Sequence, residues 1–308
     1  MSLTPSTQFN KMFKLSDFSK DLVKINPLDD KAFKIMIEDT SIFADFVESI
    51  IGREIKGKCK FLVNNELFFR VDGKKIIMDT LANTEHALIN VEGQNVASAF
   101  TLSRQLFYWA LTFVSTLKEG EHYRDLIPVI SIIVYKDKKL GDNAVKHYKV
   151  DNVDYDDIRA SDHLNLYQVS AENWKKAENE YLRYFLAFIH LGLQEDTQVY
   201  EREGLDVKSP IFKKLQKAIT ISCAKIQTKR YQEKGDDYMA QQLNSFISEE
   251  ERQQAEARGL EQGLEQGLEQ SIVKLYKNAK GSTIDDISYI FELKKCYVEE
   301  ILRKHSLI

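Results

Sequence analysis

The residues of this chain best suited to chemistry are two acids and an amide. Asp79 lies in Met78-Asp79-Thr80, and Glu92 and Gln94 lie in Val91-Glu92-Gly93-Gln94. Each group sits at or near the end of an apolar, strand-like run, and the acids are 13 residues apart. That spacing suits a β-hairpin that brings two carboxylates together. Glu92 and Gln94, two apart, share one face of a strand. Two close carboxylates and a polar neighbour on rigid strands supply the hard oxygen ligands that a magnesium ion takes. Such a site aligns an attacking water and neutralises phosphate charge. Spacing alone also fits a plainer reading, in which the acids are turn residues or salt-bridge partners.

The pattern along the second run bears on that choice. Leu88, Asn90, Glu92 and Gln94 fall on one face, and Ile89 and Val91 on the other. Glu92 therefore points away from the apolar side of its own strand. Gly93 beside it leaves room for backbone to approach a ligand closely.

The elements that must position these residues are readable from periodicity. Residues 29–51 predict one helix, or two short ones broken near Thr40-Ser41, with Asp29 or Asp30 as N-cap and Gly52 as the stop. Three strand-like runs follow at 66–71, 75–81 and 87–92, with Asp72-Gly73 as a hairpin turn between the first two. Residues 98–118 predict a helix whose apolar positions include Phe100, Leu106, Phe107, Ala110, Leu111 and Val114. A β-branched run at 128–135 predicts a buried strand, and 164–169 a shorter one. The order is helix, three strands, helix, strand, strand, an α/β arrangement with a mixed central sheet flanked by helices.

The remainder of the chain is helical in pattern. Residues 1–20 predict a disordered lead-in, 21–170 the α/β core, and 171–248 a helical extension. Residues 249–281 are of low complexity, with Gly-Leu-Glu-Gln given three times. Glycine costs a helix about 1 kcal/mol per residue. The stretch therefore predicts either a marginal helical linker or a segment for homo-oligomer or partner contact. Residues 282–308 predict a helical hairpin capped by Ser282 or Thr283, with Lys294 and Lys295 near the second helix, as in a packed pair or a helix-turn-helix unit.

Composition removes several classes. The 308 residues are 43% hydrophobic and 11% aromatic, enough for a packed core, and the net charge of −4 provides no global basic field. The three cysteines, Cys59, Cys223 and Cys296, have no metal-binding spacing, which argues against structural zinc. An odd cysteine count and a polar start of the chain predict a cytoplasmic protein. No apolar run approaches the about 18 residues of a membrane span. Glycine-rich phosphate loops and Gly-x-Ser-x-Gly elbows are absent, which leaves ATP hydrolysis and serine-hydrolase chemistry without support. His86, between the acids, reads as a solvated turn residue.

Residues 26–135 resemble the PD-(D/E)XK nuclease superfamily, and within it the branch of recombination-promoting nucleases and transposase-like proteins. The resemblance is carried by Asp30-Lys31-Ala32-Phe33-Lys34, by Asp79, by Val91-Glu92-Gly93-Gln94, by Arg104 and Tyr108, by Gly120-Glu121-His122-Tyr123 and by residues 126–130. The Gly-Leu-Glu-Gln repeats and the final helical pair resemble that branch's C-terminal region. Three positions depart from the wider pattern. Met78 stands where the superfamily has proline, Gly93 where the branch more often has a bulky apolar residue, and Gln94 where the superfamily has lysine.

The resemblance implies a restriction-endonuclease-like core and a magnesium- or manganese-dependent DNA endonuclease tied to recombination or mobile elements. It implies that Asp79 and Glu92 bind the metal, that a carbonyl of residue 93 or 94 adds a ligand, and that Gln94 orients water or a phosphate oxygen. Asp30 or Glu38 would be an outer acid, with helix capping the alternative for Asp30. Arg104 and Gln105 would touch phosphates, or form surface salt bridges, while Tyr108 and Tyr123 would pack. The competing expectation is a catalytically inactive, nuclease-derived scaffold that binds DNA or a partner through its helical tail.

Overall fold

The structure is a computed structural model. It describes residues 19–55, 59–62, 70–71, 74–75, 78, 80–96, 100–117, 120–137, 140–150, 163–278, 283–291 and 293–308. Asp79, the Asp72-Gly73 turn and the expected lead-in up to residue 18 lie outside the described residues. The chain divides into two compact units, Met1–Phe246 and Ile247–Ile308.

The first unit begins with helices. After α1 (Ser19–Leu22), the periodic run resolves into α2 (Asp30–Ile37) and α3 (Thr40–Ile51). The break comes at Asp39, whose side chain accepts from the Ser41 and Ile42 amides and so starts a new helix. Asp29, the residue before α2, is its cap and accepts from the Lys31 amide. Gly52 closes α3 at φ +70°, a left-handed conformation that a side chain would strain.

Six strands form the main sheet. In chain order they are β1 (Lys60–Leu62), β4 (Thr80–Asn83), β5 (Leu88–Gln94), β6 (Val129–Tyr135), β7 (Val145–Lys149) and β8 (Leu164–Ser170), and the short pair β2 (Arg70–Val71) and β3 (Lys74–Lys75) stands apart. The spatial order is β1-β4-β5-β6-β8-β7. The first three pair antiparallel, β5, β6 and β8 run parallel, and β7 closes the far edge antiparallel. A mixed six-strand sheet with flanking helices is the expected α/β, restriction-endonuclease-like architecture. β6 is buried along its whole length, as a central parallel strand covered on both faces must be. The second expected strand shifts, because Thr80–Asn83 pairs with β5 and the turn is drawn in to Thr84–Ala87. β1 and β7 are additions. β1 is three residues long, and the outward residues of β7 are charged or polar.

The parallel register sorts the sheet into two faces. Ile89, Val91 and Gly93 of β5 share a face with Ile130, Ile132 and Val134 of β6. This side meets α2, close enough that a Cβ on Gly93 would lie 2.8 Å from Leu28 Cδ2 and 2.9 Å from Phe33 Cδ1. Behind α2 lie α5 (Glu180–Leu191), α6 (Gln198–Arg202) and α7 (Pro210–Glu233). They are knit by the Phe46–Phe185 ring contact and by Lys214 bonding Asp45 at 2.6 Å.

The opposite face carries Leu88, Asn90, Glu92 and Gln94, in register with Val129, Ser131, Ile133 and Tyr135. α4 (Thr101–Val114) covers it. Its buried residues are Thr101, Gln105 and Thr112, while Leu102, Leu106, Phe107 and Val114 are exposed. Several of the apolar positions noted in the sequence thus face outward. A helix that is apolar nearly all round has no single face dictated by its pattern. The polar sheet below selects the side with matching polar groups.

The second unit has its own small core. The C-terminal part of α8 (Asp237–Asn278) packs with α9 (Ile284–Ile290) and α10 (Lys295–Lys304) around Ile272, Ile287, Val298, Ile301 and Leu302. Thr283 caps α9 through a reciprocal capping box with Asp286. Lys304 bonds Glu269 at 2.7 Å, which holds the Glu269 carboxyl below its usual pKa. The glycine repeats lie within α8, and a Cβ added at Gly259, Gly263 or Gly267 would meet open space. No helix among the described residues is long and apolar enough to cross a membrane.

Gly93→Ala tests the close approach of α2 to β5. The added methyl overpacks the Leu28–Phe33 contact, and the expected loss is about 1–3 kcal/mol in urea denaturation. Unchanged stability would show that α2 is not seated there.

Candidate functional site

Glu92 is 4% exposed, and Asn90, two residues earlier on the same face, is buried with it. An ionised carboxylate out of water requires donors. Asn90 Nδ2 donates to Glu92 Oε1 at 3.3 Å, and Arg104 Nη2 donates to Oε2 at 3.4 Å. Both distances sit at the long end for such contacts, where charge-assisted bonds are normally 2.7–2.9 Å. The Arg104 side chain is about half exposed, and its guanidinium lies 5.7 Å from the centre of the Tyr108 ring.

α4 is fixed above these groups by bonds to the strand backbones. Gln105 Nε2 donates to the carbonyls of Ser131 on β6 and Tyr167 on β8, at 3.0 and 3.2 Å. One turn on, Trp109 Nε1 donates to the Val129 carbonyl at 3.1 Å. At the start of α4, Thr101 lies beside the Tyr135 side chain. Tyr135 is fully buried opposite Gln94 in the register. Burial pushes its phenol up to about 12, with Thr101 and the Arg104 charge acting in the other direction.

The enclosed layer is rich in oxygen. Asn90 Oδ1, Gln105 Oε1 and Ser131 Oγ are buried with no hydrogen-bond partner among the described residues. Together with the Glu92 carboxylate they form a donor set of the hard type that magnesium or manganese accepts. Among the described residues, no group of three or more histidine, cysteine, aspartate or glutamate side chains could hold a metal ion. A cation here would thus rely on Glu92, amide and water oxygens, and a further acid from outside the described residues.

The other expected site residues distribute as follows. Gln94 ends β5 half-buried beside Glu92, and its carbonyl already accepts from the Lys136 amide at 3.1 Å. Asp30 is the first residue of α2, whose helix packs on the sheet face opposite Glu92. The loop before α2 reaches the end of β5, where Asn95 Nδ2 donates to the Leu28 carbonyl at 3.4 Å. Glu38 lies beyond the other end of α2, 3.8 Å from Lys34. Gln105 is a buried tie between strands, not a surface group facing phosphate. Tyr108 packs as expected, whereas Tyr123 is exposed. His86 is exposed and lines a cavity of about 750 Å³ with Ile89, Ile130 and His147, on the α2 side of the sheet. Lys295 is paired with Asp285 at 2.8 Å. Asn90 and Tyr135 had no role in the sequence reading. The alternation that puts Asn90 beside Glu92 was the available signal for the first.

The raised Tyr135 pKa makes an alkaline prediction. The unfolded chain gives up this proton near pH 10, whereas the folded chain keeps it to about pH 12. The associated stability is intact below about pH 10 and declines as pH rises through about 12. Tyr135→Phe should flatten part of that decline in urea midpoints taken between about pH 8 and 12. Superimposable slopes for the two proteins would remove Tyr135 as a contributor.

A family profile described as PD-(D/E)XK nuclease family transposase matches residues 27–253, which takes in the whole sheet, α4, Glu92 and Gln94. No curated protein and no solved structure matches the chain. With most of its length matched, and with a buried acid and its amide neighbour on a central strand of the mixed sheet, the chain belongs to the PD-(D/E)XK nuclease family transposases.

Proposed function

We propose that the protein is a divalent-metal-dependent DNA endonuclease acting in recombination or on mobile elements. The observation that carries this reading is the buried Glu92 carboxylate, bonded by Asn90 and Arg104, near the end of β5 within the family match. Thr80 pairs with Val91 in the antiparallel β4–β5 ladder. In the sequence Asp79 precedes Thr80 and Glu92 follows Val91. On this reading Asp79 and Glu92 hold a magnesium or manganese ion. When bound, such an ion lowers the pKa of a coordinated water and offsets charge building on the phosphate.

The chain's own groups take the remaining tasks. Glu92 supplies carboxylate oxygen, and Asn90 keeps that carboxylate oriented. Gln94, on the same face, orients the water or a phosphate oxygen through its amide. It lacks the charge of a lysine, so positive charge toward the phosphate falls to Arg104, which is half exposed. Tyr135 stays protonated at neutral pH and adds no negative charge next to Glu92.

One observation favours a second reading. A guanidinium already faces Glu92 Oε2, so the acid could be a structural ion pair in a scaffold that binds DNA without cutting it. Incubation with supercoiled plasmid, with and without magnesium or manganese, separates the two. Metal-dependent nicking is expected, and Glu92→Ala should reduce it by about 100-fold or more, the scale on which removing one charge-stabilising group acts. Asp79→Ala should do the same, with far-UV circular dichroism unchanged in both. Equal cleavage by wild type and both variants would remove Asp79 and Glu92 as the site, and absence of both cleavage and metal heat in calorimetry would leave the scaffold.

A further inference from the structure

The outward side of α4 exposes several large apolar residues. Phe100, just before the helix, is 77% exposed, Phe107 44% and Val114 70%, with Leu106 at 46%. Phe100, Ser103, Phe107, Ala110 and Val114 follow the alternating three-and-four spacing of a helix-packing seam. The large residues stand seven apart, and the small Ser103 and Ala110 fall between them, where a second helix can approach. The opposite side of the same helix is committed to the sheet through Gln105, Trp109 and Thr112.

We propose that this seam is a self-association surface, on which α4 of a second copy of this chain docks about a two-fold axis. Charge and area both favour that occupant. Within Thr101–Val114, Arg104 is the only residue charged at neutral pH, and it turns toward Glu92 on the sheet side. Two copies therefore meet apolar against apolar with no like charges opposed, the self-complementarity that an isologous contact requires. The exposed parts of Phe100, Leu102, Leu106, Phe107 and Val114 amount to about 500 Å² of apolar area per copy. A standard interface takes about 800 Å² from each partner, and in homodimers about 65% of it is apolar. The seam residues together with the flanking Leu102 and Leu106 approach that apolar share. A patch of this size is in the upper part of the range for the largest patch on a monomer, and such patches are often functional. A membrane surface is the poorer fit, because Arg104 is the one basic residue within Thr101–Val114 and it pairs with Glu92.

The contact does not depend on the nuclease reading. If that reading holds, the dimer carries two copies of Glu92 in one particle, as cutting both strands of a duplex demands. Sedimentation of the full chain between about 1 and 100 µM tests it, in the range where interfaces of this size associate. Wild type should sediment as a dimer, and Leu106→Glu/Phe107→Glu as a monomer with unchanged circular dichroism. Leu260→Glu, at an exposed site on α8, should remain dimeric. A second readout does not depend on how the double variant folds. Ser103→Cys in a Cys59→Ser/Cys296→Ser background should give a covalent dimer with a short bismaleimide. A wild-type monomer at the top concentration, a dimer that survives the double substitution, loss of the dimer in Leu260→Glu, or no cross-link at position 103 would each overturn the proposal. So would a monomer that instead sediments with anionic lipid vesicles.

Discussion

A carboxylate placed inside a protein dictates what may surround it, and Glu92 is such a group. It sits on a central strand, between antiparallel β4 and parallel β6, where the sheet is covered on both sides. The neighbouring layer answers it with amide, hydroxyl and guanidinium groups: Asn90 on the same strand, Ser131 in register on the next, Gln105 and Arg104 from above. Packing that layer with leucine and valine would leave the charge unpaired at a cost of several kcal/mol. The polar layer is thus a requirement of the acid, and the helix that covers it must be polar underneath.

This requirement explains why α4 looks inverted. Its threonines and its glutamine face inward and much of its apolar surface faces out, contrary to the rule for a surface helix. Gln105 is the pivot. By donating to carbonyls on β6 and β8 it bridges two adjacent parallel strands and fixes the height and rotation of the helix. That rotation carries Arg104 to Glu92 and Thr101 to Tyr135. Site geometry and outer surface are therefore consequences of one orientation and cannot be adjusted independently.

The sheet was largely legible because its central strands are β-branched runs, and long apolar runs are what parallel strands buried on both faces need. Alternation along β5 also disclosed that Asn90, Glu92 and Gln94 share a side. The edges were harder. β1 spans only Lys60–Leu62, and β7, with Lys146, His147 and Lys149 exposed, has too little apolar content to announce a strand. The orientation of α4 was not legible, since periodicity identifies a helix but not its buried side when leucine, phenylalanine and tryptophan occur all round. The same blindness cast Gln105 as a candidate phosphate contact, although its partners lie on strands 26 and 62 residues further along. Asp29 shows the converse, since its short local bond to a following amide can be read from sequence.

The approach of Leu28 and Phe33 to Gly93 also bears on how such a chain can vary over descent. Close packing between α2 and β5 requires their combined side-chain volume at this contact to stay nearly fixed. Here the helix side supplies nearly all of it, and the strand gives up its side chain altogether. A family member with a bulky apolar residue between the acid and the glutamine must hold correspondingly smaller residues at the positions of Leu28 or Phe33. Substitution at these three positions is therefore coupled, and a lineage crosses from one solution to the other by shrinking the helix residue before enlarging the strand residue. An aligned set of sequences would record that order as covariation among sites remote in the chain.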